Sequence, residues 1–129
     1  GDWVRQQFKE RYIKSEYRNV LIHSSIIEGT LRNESGEKTF KSANRALSRC
    51  RKIGPPEFRI LDQIRDIRNR LVHDSFKNGL VQNEIDGLRD ELMMKILEAY
   101  RISSFLNDTL FMKYGIVRVA RILFNSVSN

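Results

Sequence analysis

The chain has 129 residues, a net charge of +7, one cysteine (Cys50) and two histidines (His23 and His73). That is long enough for one domain to bury a core without cross-links, and one cysteine excludes an internal disulfide framework. Together these residues cannot furnish an ordinary zinc site, so no metal or other cofactor is expected. No apolar run nears the roughly 20 residues of a membrane span, and WVRQQFKERY is not a signal peptide, so the expected setting is a reducing cytoplasm without a membrane partner.

Residues 1–52 hold twelve Lys/Arg against six Asp/Glu, whereas residues 80–129 hold six of each. The positive excess therefore lies in the N-terminal half, and an excess of that kind suits a polyanion such as RNA. Position 1 is glycine rather than methionine. This leaves open that the single domain, residues 1–129, is excised from a longer protein.

Apolar residues recur at helical spacing and no stretch alternates as a strand does, which predicts an all-α bundle of about five helices. The first helix runs from about Trp3 to Leu31. One face carries Ile13, Tyr17, Val20, Leu21, Ile27 and Leu31, with Ser24 and Glu28 set among them; His23 falls off that face and is expected to be an ordinary surface or interface residue. Asn33–Lys38 is a polar turn. The second helix, about Phe40–Ile53, places Lys41, Arg45, Arg49 and Lys52 along one positive stripe. Such a stripe is a solvated face or a track for a phosphate backbone. Gly54 and the adjacent Pro55 and Pro56 stop that helix and start a third, about Glu57–His73. After a loop at Asp74–Gly79, a long helix is predicted from Asn83 to Tyr114. On it Met93, Met94, Tyr100, Phe111 and Met112 read as core or dimer contacts. Gly115 ends it, and Ile116–Val127 forms a last amphipathic helix.

On the third helix Ile60, Leu61, Ile64, Ile67, Leu71 and Val72 span an arc of roughly 140°, the core-facing stripe. Arg68 falls inside this arc. A cation among aliphatic residues needs a partner, because burying it unpaired would cost several kcal/mol. Glu28, set on the apolar face of the first helix, is the carboxylate expected to pair with it. Asn69 and His73 lie four residues apart on the flank of the stripe.

The segment IRDIRNRLVHDSF, Ile64–Phe76, resembles the R-N-x3-H form of the motif of HEPN domains, small helical domains of RNase toxins and phage-defence proteins. HSSIIEGTLRN is similar to the first long helix of that family, and the helical order between the two segments fits as well. The resemblance implies a metal-independent endoribonuclease of a toxin–antitoxin or defence system. In it a 2′-hydroxyl attacks the adjacent phosphate and leaves a 2′,3′-cyclic phosphate. Arg68 and His73 would be catalytic and Asn69 would orient the imidazole. Glu28 would support Arg68, and Lys41, Arg45, Arg49 and Lys52 would bind RNA. Histidine transfers protons near neutral pH, and an always-charged arginine stabilises a phosphorane. On an ideal helix Arg68 and His73 point roughly 140° apart, and one motif histidine cannot readily be both acid and base. Both facts favour a homodimer with a composite site, the assembly the resemblance also implies, and a cognate antitoxin or regulatory protein is a further expected partner. In toxins of this family paired with a minimal nucleotidyltransferase, a tyrosine usually follows the histidine by two places; Ser75 stands there in this chain, so its modification is not implied. The segment also resembles the regulatory, mannitol-repressor-type branch, which implies the alternative of a non-catalytic regulatory or protein-interaction module.

Overall fold

The structure, a computed structural model, describes the backbone of residues 2–74 and 82–114 and the side chains of residues 18–73 and 82–109. Among the described residues every regular element is helical: α1 Asp2–Ser35, α2 Phe40–Arg49, α3 Pro55–Asn69, α4 Gln82–Ile102 and α5 Ser104–Tyr114. A π-helical turn, Arg70–Asp74, runs on from α3. The predicted all-α class holds. Most of the predicted loop at Asp74–Gly79, the break at Gly115 and the helix Ile116–Val127 lie outside the described residues, as do the side chains of Ile13, Tyr17, Phe111 and Met112.

Helix α3 is the centre of the bundle and packs against α4, α2 and α1. Its stripe is interior at Ile60, Leu61, Ile64, Ile67 and Leu71, all buried, while Val72, expected in the same stripe, is only half-buried. Val20, Ile27 and Leu31 of α1, Phe40, Ala43 and Leu47 of α2, and Leu88, Leu92 and Ile96 of α4 close around it. The exits and entries are written locally. Helix α1 ends where Gly36 takes a φ of 75°, its N–H donating to the Arg32 carbonyl at 2.8 Å. Thr39 caps α2 with its hydroxyl accepting from the Ser42 N–H at 3.1 Å, while Ser42 Oγ accepts from the Thr39 N–H at 3.3 Å. Such reciprocal caps satisfy donors that the first helical turn leaves free.

Helix α1 runs past its expected end at Leu31 to Ser35, taking in the first half of the expected polar turn, and three further boundaries differ from the sequence-based expectation, each for an identifiable reason. Helix α2 stops at Arg49 rather than Ile53, because Arg51 enters the left-handed region at φ 63°. The N–H of Lys52 then reaches the Leu47 carbonyl at 3.0 Å and that of Arg51 the Ser48 carbonyl at 3.2 Å. This is a Schellman closure with arginine where glycine is usual. Helix α3 begins at Pro55, and Glu57 folds back to accept the Gly54 N–H at 3.4 Å. The single long helix expected from Asn83 to Tyr114 is two helices parted at Ser103. Ser103 Oγ accepts the Leu106 N–H at 3.1 Å and donates to Glu57 at 2.6 Å. A buried serine thus caps α5 and ties the break to the start of α3.

His23 is also corrected: it is interior, 3% exposed, with its ring edge-on to Tyr100 at a centroid distance of 6.4 Å. Helix α1 is covered by all the other described helices, so a residue beside its apolar stripe is enclosed as well. Of the candidate contact residues on α4, Tyr100 is buried and Met93 packs on the core, while Met94 is 65% exposed. Cys50 is an exposed free thiol.

Candidate functional site

The predicted polar pair forms. Arg68 Nη1 donates to Glu28 Oε2 at 3.0 Å and Nη2 to Oε1 at 3.4 Å, a two-pronged contact joining α3 to α1. The two side chains are 18% and 23% exposed, so the pair sits at the edge of the core rather than inside it. A third helix contributes as well, because the Arg68 guanidinium carbon lies 5.3 Å from the ring centroid of Phe40, the first residue of α2. A planar guanidinium suits both contacts: its fork matches a carboxylate, and its charge is attracted to an aromatic face. Phe40 did not stand out in the sequence. The readable signal is an aromatic residue directly after a Thr cap on a helix whose interior face is Phe40, Ala43, Asn44 and Leu47.

Asn69 and His73 follow on the same strand of chain, Asn69 half-buried and His73 exposed. The backbone between them is not a regular α-helix. His73 belongs to the π-helical turn, where bonds close over five residues instead of four, so each residue advances by less than the 100° of an α-helix. The roughly 140° separation expected for Arg68 and His73 on an ideal helix is therefore reduced across this turn. Leu71, fully buried within that turn, anchors it to the core.

Lys41, Arg45 and Arg49 are exposed at successive turns of α2. Helix α2 runs antiparallel to α3: Phe40 at its start meets Arg68 near the end of α3, while Asn44 Nδ2 donates to the carbonyl of Phe58 near the beginning. The stripe accordingly begins at the end of α2 that meets the Arg68 end of α3, and it runs along the exposed side of α2 for about 12 Å. Lys52 does not continue it. The chain has turned at Arg51, and Lys52 instead forms a short salt bridge with Glu34 of α1. That carboxylate's hydrogen bond, and then its charge, raise the Lys52 pKa above its ordinary value. A separate groove between α3 and α4 is lined by Asp62, Asp66, Arg70, Glu91 and Lys95 among others, and includes neither Arg68 nor His73. Its mixed charge does not suit a polyanion.

Compared with protein-family models, curated proteins and solved structures, the chain matches none.

Proposed function

We propose that this chain is a metal-independent endoribonuclease of HEPN type, serving a toxin–antitoxin or phage-defence system and working as a homodimer in the cytoplasm. His73 of one protomer takes the proton from a ribose 2′-hydroxyl. The 2′-oxygen attacks the neighbouring phosphorus, and the bond from phosphorus to the 5′-oxygen breaks. The partner's His73 gives its proton to that oxygen, leaving a 2′,3′-cyclic phosphate and a 5′-hydroxyl. Arg68 stabilises the charge that gathers on the phosphorane oxygens. Lys41, Arg45 and Arg49 hold the RNA strand, with a strong dependence on salt. Lys52 is given up as a strand contact because Glu34 occupies it.

The observation that carries this reading is an arginine already held by Glu28 near the end of α3, followed in the next turn by an exposed histidine, in the order the HEPN motif has them. The composite site draws support from His23: enclosed beside Tyr100, it is no candidate for the second proton-transfer group, so a second His73 supplies it. Purified protein in EDTA is expected to cleave cellular RNA to cyclic-phosphate ends. His73→Ala should abolish cleavage with little change in melting temperature, since an exposed side chain opens no cavity on removal.

One observation favours the second reading, a non-catalytic regulatory or protein-interaction module. Arg68 is engaged by Glu28 and Phe40 together, as a purely architectural arginine would be. That reading expects a folded wild-type dimer to leave a broad panel of RNAs uncut, and His73→Ala to change only assembly or partner affinity.

A further inference from the structure

We infer that Phe40 is a positioning residue for Arg68, its ring and the Glu28 carboxylate together clamping the guanidinium in one plane; the inference rests on the ribonuclease reading above. The two contacts restrain different motions. Glu28 accepts one N–H from each terminal nitrogen, at 3.0 and 3.4 Å, which fixes rotation of the fork within its own plane. The Phe40 ring lies under the guanidinium, its centroid 5.3 Å from the central carbon, and holds the cation on that side of the fork. A second carboxylate in its place would consume more donors and cancel more charge. An aromatic face holds the cation and takes no N–H, so the remaining donors stay available to a phosphate.

The clamp is itself firmly seated. Phe40 is 2% exposed, and as the first residue of α2 its backbone is set by the reciprocal Thr39–Ser42 cap. The two supports come from α1 and α2, so each reaches Arg68 of α3 from a different helix. An arginine held in this way meets developing charge without first having to order itself, which is the condition for electrostatic preorganisation.

The test replaces Phe40 by leucine and, separately, by phenylalanines of increasing fluorination, which keep the ring's shape but drain its negative face. Three properties are read: kcat and KM for RNA cleavage in EDTA, the melting temperature, and the NMR signals of the Arg68 terminal N–H groups. In the wild type those signals should be separately resolved, because rotation of the held guanidinium is slow. Along the fluorine series they should merge, and kcat should fall in steps at nearly constant KM and melting temperature. Phe40→Leu should lower kcat by about ten- to a hundredfold. Resolved Arg68 signals and unchanged kcat across the fluorine series would overturn the inference, as would a fall in melting temperature alone with Phe40→Leu. If wild-type protein cuts no RNA, it is the ribonuclease reading that fails, and the NMR series by itself decides whether the clamp exists. A Phe40→Leu variant that does not fold leaves the fluorinated series to decide both points.

Discussion

Arg68 is where the sequence pattern and the packing meet. Its place among aliphatic residues demanded a partner, and Glu28 meets that demand at the rim of the core, where water still screens the pair. Arg68→Ala is expected to cost about 1–3 kcal/mol, because it leaves a partly buried carboxylate without its donor. Adding Glu28→Ala should then cost less than it does in the wild type. A urea-denaturation double-mutant cycle with strictly additive losses would show that the pair has no coupling. The Lys52–Glu34 bridge offers a pH signature at the same scale. Its hydrogen bond holds the folded-state pKa of Lys52 above the unfolded value of 10.5, so the protonated form is the one that folding favours. Its contribution is therefore complete below pH 10.5 and lost as pH rises through the higher folded value. Thermal melts of wild type and Lys52→Met should differ by a constant amount near neutrality and converge in strong alkali. A gap that widened there would contradict the sign.

The elements owe their limits to single residues. Arg51 stands in the left-handed region that glycine occupies without penalty. Arg51→Gly should therefore stabilise the fold by about 0.5 kcal/mol, a net value after the greater freedom glycine has in the unfolded chain. A lower urea midpoint for this variant would mean that the arginine side chain supplies something the turn does not reveal. The π-helical turn depends on Leu71, which is completely enclosed. Leu71→Ala should cost about 2–5 kcal/mol through lost burial and a residual cavity. Because the turn also orients His73, any RNA cleavage should fall further than the lost folded fraction explains. Cleavage that merely tracked the folded fraction would separate the turn from the chemistry.

Across the whole molecule, charge and apolar surface are distributed unevenly. Among the described residues Lys41, Arg45 and Arg49 face solvent and make no ion pair, whereas Arg65, Arg68 and Arg89 are drawn into carboxylate contacts. Neutralising the three α2 residues to glutamine should weaken RNA binding and reduce the slope of log affinity against log salt by about 2, the single-strand value for three phosphates. Filter binding across a salt series measures it, and an unchanged slope would assign the strand to another face. Fold stability should hardly change, since exposed charges far from a partner contribute little. Ile22 and Met94, at 46% and 65% exposure, are the large apolar side chains left open among the described residues.

The helical class, the interior stripe of α3 and the Glu28–Arg68 pair were all legible in the sequence. Each follows from a strong local rule: apolar residues at a 3.6-residue period mark an inside, and a charge on that inside must be compensated. Ser103 was not legible, because apolar spacing resumes directly beyond it; the break exists because Glu57, 46 residues earlier, accepts its hydroxyl. The burial of His23 depended on α1 being covered by more than one neighbour, which a single helix's pattern does not record. The stripe lost Lys52 because Arg51 took a conformation that its residue type disfavours and nothing nearby announces. Phe40 carried no signal in the sequence beyond opening the second helix, and only folding sets it under Arg68. Periodicity and charge are properties of one helix and are written in the chain, whereas the site is a meeting of three helices, and only their packing sets which side chains share it.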